Sequence, residues 1–181
     1  LWLALGLAQV AAAQTLFNTN PDADTVSVVS RATNRLVATI PVGQRPIGIV
    51  LDAAEHHAYV ANSASDNVSI ISVANNRVVA TVAVGSRPFG IDVNPAGTLV
   101  YVANVAARTV SVIDTAKATV IATVPVGIGP TGVAVDRAGA FVYVTNQLGD
   151  SVSVIEAAAG SVAENIAIGK RPMGIAMSHS G

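Results

Sequence analysis

The chain has 181 residues, a net charge of −1, 12% charged residues and 51% apolar ones. That balance suits one core-rich folded domain and argues against a disordered tail or a polybasic nucleic-acid arm. With no cysteine, disulfides, thiolate metal sites and C-x-x-C-H haem attachment are excluded within these residues, and 4% aromatics is thin for a base-stacking platform.

The first segment, LWLALGLAQVAAAQ, reads as the apolar core of a secretory signal with a small-residue cleavage site at Ala11-Ala12-Ala13. Residues 1–13 are expected to be removed as a signal remnant, leaving 14–181 as an exported protein, periplasmic or at the cell surface. The segment is shorter than the ~20 residues a membrane-spanning helix needs, and no later stretch reads as a span.

From residue 17 onward the sequence repeats every 42 residues. Phe17, Tyr59, Tyr101 and Tyr143 share one position, and Asn20, Asn62, Asn104 and Asn146 another. Gly43, Gly85, Gly127 and Gly169 keep the same spacing, as do Pro46, Pro88, Pro130 and Pro172, and Gly48, Gly90, Gly132 and Gly174. The units run 17–58, 59–100, 101–142 and 143–181.

Each unit has four short segments, three of them with clear strand character. The first, TLVYVAN entering the third unit with LFNTN, YVANS and YVTNQ at the matching place in the others, alternates apolar and polar positions and is rich in β-branched residues. The second (TVSVVS, NVSIIS, TVSVID, SVSVIE) alternates strictly. Asp24, Asp66 and Asp150 open the turn before it, with Arg108 in the remaining unit. The third (RLVATIPV, VVATVAV, VIATVPV) follows a turn holding Asn34, Asn76 or Gly160. The fourth (IGIVL, FGIDV, TGVAV, MGIAM) is short and nearly all apolar, and Gly97, Gly139 and Gly181 mark the turn after it. No helical period appears. Four strands in about 42 residues is the size of one β-propeller blade, with the apolar fourth segment nearest the axis and the third outermost.

These units resemble the YVTN β-propeller repeat, whose tetrapeptide stands here as Tyr143-Val144-Thr145-Asn146. The match covers residues 15–181. The resemblance implies an all-β fold of four-stranded antiparallel blades and an exported or surface-layer protein. It also implies membership of a clan that includes lactonase-like and quinoprotein-dehydrogenase-like propellers. Because such rings are commonly larger, the four units are expected to be part of a ring of about seven blades. A closed four-blade ring, with 172–178 completing the first blade as a 3+1 clasp, is the alternative.

No catalytic motif stands in the chain: H-E-x-x-H, G-x-S-x-G and a phosphate loop are all missing. His56 and His57 are adjacent, so on an extended stretch they point apart and read as a solvated loop pair; His179 carries no assignment. Asp22 and Asp24 with Asn20 faintly suggest calcium, but the other units place Ala64, Ala106 and Leu148 at the Asp22 position. Asn67-Val68-Ser69 matches a glycosylation sequon at a position that other units fill with Thr or Ser. The repeated asparagines are expected to bond backbone groups at the strand ends. No metal or cofactor is expected.

Arg45, Arg87 and Arg171 are the informative residues, with Gly129 in the fourth copy. The unit lacking this Arg also lacks the Asp, having Arg108, which suggests Asp–Arg pairs across adjacent loops. The functional alternative is an anion site, three guanidinium groups at one mouth of the axial channel. The expected activity is non-catalytic binding or scaffolding at the cell surface, with an unidentified protein, a polysaccharide or a small anion as partner. Nucleic acid is disfavoured by the low charge, though the arginine face keeps it as an alternative. A fragment of a propeller enzyme or redox module is the rival reading.

Overall fold

The computed structural model describes residues 15–178. The signal segment and His179 therefore lie outside the described residues.

Blade 1 contains β1 (Thr15–Asn20), β2 (Thr25–Ser30) and β3 (Arg35–Pro41). Blade 2 contains β4 (Pro46–Leu51), β5 (His57–Asn62), β6 (Asn67–Ser72) and β7 (Arg77–Ala83). Blade 3 contains β8 (Pro88–Val93), β9 (Leu99–Asn104), β10 (Thr109–Asp114) and β11 (Thr119–Pro125). Blade 4 contains β12 (Pro130–Val135), β13 (Phe141–Asn146), β14 (Ser151–Glu156) and β15 (Ser161–Ala167). Each blade is an antiparallel meander in chain order, so the architecture is all-β with propeller blades.

Alternation along each strand assigns its two faces to two different neighbours. Tyr59, Ala61, Val68, Ile70 and Val82 face forward and pack on Ile91, Val100, Val102 and Ile113 of blade 3. The opposite face of blade 2, Ala58, Val60 and Ile71, packs on Phe17, Val26, Val28 and Ile40 of blade 1. Blades 3 and 4 meet the same way through Tyr101, Val110 and Val112 against Val133, Val142 and Ile155. Burying each Val or Ile is worth about 1.5–3 kcal/mol, which is how a sequence without cysteine holds together. The outer strands carry a bulge opposite Val28/Val29, Ile70/Ile71, Val112/Ile113 and Val154/Ile155, and the added twist blunts an otherwise exposed edge.

The innermost strands crowd the axis. A Cβ on Gly132 would stand 2.6 Å from the carbonyl oxygen of Met173, and one on Gly48 or Gly90 would collide with the carbonyl of Phe89 or Thr131. This close approach is why the P-x-G glycine recurs. Residues 172–178 form no strand and do not pair with β1, so the 3+1 clasp of a four-blade ring is not formed. They lie instead beside β12, where the Met173 carbonyl accepts hydrogen bonds from Thr145 at 2.9 Å and Thr131 at 3.3 Å. Thr19 bonds the Ile47 carbonyl in the same way at 3.0 Å, so 172–178 occupies the inner position that follows blade 4.

Candidate functional site

The meander sends two kinds of loop to each end of the blades. Links from outer strand to next inner strand share one face with the β1–β2, β5–β6, β9–β10 and β13–β14 turns. Arg45, Arg87 and Arg171 sit in the links, and Asp24, Asp66 and Asp150 in the turns. The expected Asp–Arg pairing is real but engages different atoms. Each carboxylate accepts the arginine's backbone N–H, at 2.8 Å in Arg45–Asp24, Arg87–Asp66 and Arg171–Asp150 alike. No ion pair joins a guanidinium to these carboxylates.

The reason is backbone geometry. Arg45, Arg87 and Arg171 have φ of 53°, 56° and 52°, and Gly129 has 67° at the same position. The link turns through the left-handed region, which aims the N–H at the preceding turn and throws the side chain outward. There the three arginines are exposed. The carbonyls of Arg45, Arg87 and Gly129 then accept from Ser63, Val105 and Gln147 of the next blade at 2.8–2.9 Å. So the link is stapled by its backbone alone. In the Arg108/Gly129 unit the carboxylate is lost, the carbonyl staple remains, and Leu148 packs over Gly129.

The asparagine series is structural, but its partners are side chains rather than the backbone groups expected from the strand ends. Asn62 donates to Asn67 Oδ1 at 2.8 Å and Ser69 at 2.9 Å, Asn104 to Thr109 and Ser111, and Asn146 to Ser151 and Ser153. Asn20 repeats the pattern on Thr25 and Ser27. The adjacent strand presents these hydroxyls because Asn62 pairs with Asn67 and Val60 with Ser69 in register. That accounts for the serine inside each otherwise apolar V-S-V-I strand. Gly43, Gly85 and Gly127 lie over these amides, 2.5–2.7 Å from where a Cβ would reach. Asn67 is held in this network, and its Nδ2 also bonds the Ser65 carbonyl. Gly48, Gly90 and Gly132 serve the axial packing described above.

The histidines differ from the reading as a solvated pair. His56 is exposed, but His57 is partly buried, its Nδ1 3.4 Å from Asp52 Oδ2 and its ring 6.3 Å from that of Tyr59. Asp52 itself is buried and accepts the N–H groups of His56 and His57. These groups border a cavity of about 550 Å³ between blades 2 and 3, on the face away from the arginines. Burial, then the Asp52 charge, push Tyr59 up to about 12, although a bond to the Thr115 side chain acts the other way. Tyr101 is raised by burial too, and its hydroxyl has no partner because Ala157 stands where Thr115 serves Tyr59.

Sequence reasoning also passed over Asp92, inside the apolar β8. Its carboxylate accepts Val93 N–H and, across to blade 4, Val135 N–H, both at 2.8 Å. Burial raises its pKa, opposed by those two bonds. Among the described residues no three His, Asp or Glu side chains gather as metal ligands, and Asp22 is exposed.

The fold and these repeated loops define a β-propeller repeat protein. A family described as YNCE-like beta-propeller matches residues 96–180, about two blades. Kuenenia stuttgartiensis hydrazine synthase is similar at 27% identity and a TM-score of 0.82, over 85% of this chain and 46% of that one. A functionally unknown protein from Desulfotomaculum acetoxidans DSM 771 is similar in fold, at 20% identity and a TM-score of 0.68, over 87% of this chain and 58% of that one. The chain thus spans about half the length of these solved structures. No curated protein matches it.

Proposed function

We propose that this propeller, of the YVTN type, is an exported, non-catalytic binding scaffold whose arginine-bearing face recognises an anionic partner, such as an acidic polysaccharide. One observation carries the reading: Arg45, Arg87 and Arg171 adopt left-handed φ near 53° while their guanidinium groups make no ion pair with the neighbouring carboxylates. A non-glycine residue there costs about 1 kcal/mol, and Gly129 shows that glycine fills the position. Folding alone favours glycine at all four positions; arginine at three supports a ligand for the side chain. Guanidinium suits carboxylate, sulfate or phosphate through paired N–H donors.

The test is calorimetric titration of dextran sulfate into the chain at low ionic strength. The wild type should bind, with affinity falling steeply as salt is added, and replacing all three arginines by alanine should weaken binding at least tenfold. Equal affinity in the triple variant refutes the reading.

A second reading, a piece of a propeller enzyme, draws on the 27% identity to hydrazine synthase. Turnover assays on the whole natural protein distinguish it.

A further inference from the structure

In blade 2 the turn joining β4 to β5 reads Asp52-Ala53-Ala54-Glu55-His56-His57. In blade 3 it is Asn94-Pro95-Ala96-Gly97-Thr98-Leu99, and in blade 4 Asp136-Arg137-Ala138-Gly139-Ala140-Phe141. The fold uses the first residue as a cap in all three: Asn94 accepts the N–H of Thr98 and Leu99, and Asp136 those of Ala140 and Phe141, as Asp52 does for His56 and His57. The cap is architecture; the rest of the blade 2 turn is not. Glu55 takes φ 54° where Gly97 and Gly139 have 69° and 70°. His57 stands where the other blades open the strand on Thr15, Leu99 and Phe141. On the facing loop, Thr115 stands where the other units have Arg31, Val73 and Ala157.

His56, His57 and Thr115 all line the same cavity of about 550 Å³. Departures from the repeat in two separate loops converge on one space. The Thr115 hydroxyl also donates to the Gly97 and Thr98 carbonyls of its own blade, whereas among the described residues the His56-His57 pair has no such structural partner in the facing blade. The cavity has two kinds of wall. One is apolar and small, formed by Ala54, Pro95, Ala96, Ala116 and Ile70. The other holds the Asp52 carboxylate, the His57 imidazole and the Tyr59 hydroxyl. No lysine or arginine lines it, and Asp52 is the one carboxylate in the lining. Asp52 receives two N–H groups and the His57 contact, while a carboxylate has about four lone-pair sites. One acceptor site remains on this buried carboxylate, facing the cavity.

We propose that this cavity binds a small organic amine, with its ammonium group at Asp52 and His57 and its carbon body against the alanine and proline wall. The site is separate from the arginine face and needs no anion there.

Titration of phenethylamine into the 181-residue chain tests it, with phenethyl alcohol and phenylacetate as probes of the same body and different charge. The amine should bind saturably, the alcohol at least tenfold more weakly and phenylacetate more weakly still. Two variants borrow residues that other blades already use at these positions, so the turn is preserved. Asp52→Asn keeps the cap as Asn94 does and removes the charge; His57→Leu copies Leu99. Each should unfold within a few degrees of the wild type and lose at least tenfold in amine affinity. No saturable amine binding to millimolar concentration, equal affinity for the alcohol, or unchanged amine affinity in either variant overturns the proposal.

Discussion

Replacing Gly90 by alanine puts a methyl group into the tightest backbone approach among the described glycines. Its Cβ would collide with the Thr131 carbonyl oxygen, with Thr131 C at 3.1 Å and Gly132 Cα at 3.2 Å behind it. All three atoms are backbone, so no rotamer change relieves the clash, and the inner strands of blades 3 and 4 must separate. Overpacking typically costs 1–3 kcal/mol; with no soft neighbour the cost belongs at the upper end, about 3 kcal/mol. For a chain of this size that lowers the thermal midpoint by roughly 6–12 °C. Gly174 is the internal control, at the same repeat position but with no described atom within 4 Å of its Cβ. Gly174→Ala should leave stability unchanged or raise it by about 0.4–1 kcal/mol, through a less flexible unfolded chain. Urea and thermal unfolding of both variants decide the matter. Equal effects from the two substitutions, or a loss below about 1 kcal/mol for Gly90→Ala, would refute the axial packing argument.

Asp66→Ala removes the acceptor of the Arg87 N–H and should cost about 1 kcal/mol in urea unfolding, while Asp66→Asn, which keeps an acceptor oxygen, should cost less. Asp92 has a folded pKa raised above 3.8, so its stabilising contribution is present at lower pH and declines as pH rises through the folded value. Unfolding free energies measured from pH 3.5 to 6 should therefore fall more, or rise less, with pH in the wild type than in Asp92→Asn; identical slopes would contradict the assignment. Ultraviolet titration should find Tyr59 still protonated at pH 11, in keeping with its value of about 12, and a phenolate there by pH 11 would show that its burial is overstated.

The 42-residue period carries the blade architecture, because each blade repeats one solution to one packing problem and leaves it at fixed spacing. The loss of Asp and Arg together at Arg108 and Gly129 likewise exposes their coupling. What the letters leave out is which atoms couple. A carboxylate that caps a backbone N–H covaries with its partner as an ion pair does, and a left-handed φ is invisible when the residue is Arg rather than Gly. Asn62 shows the same gap: its period is plain, but its partners, Asn67 and Ser69, depend on strand register. His57 was obscured by its neighbour, since adjacency suggests divergence and says nothing of Asp52 five residues back. Comparison within the repeat could have found it, because His57 is the one ionisable residue in a series of Thr15, Leu99 and Phe141. Asp92 carries a similar signal, the one charge among Val50, Ala134 and Ala176.

Whether the arginines serve a ligand rather than the fold is tested most directly by Arg45→Gly, Arg87→Gly and Arg171→Gly in one chain, melted with and without dextran sulfate. Glycine keeps the left-handed link, its N–H and its carbonyl staple, as Gly129 does. The ligand-free variant should unfold at or above the wild-type temperature, and the upward shift that dextran sulfate gives the wild type should vanish. A lowered melting temperature, or a ligand shift that survives the substitutions, would contradict the account.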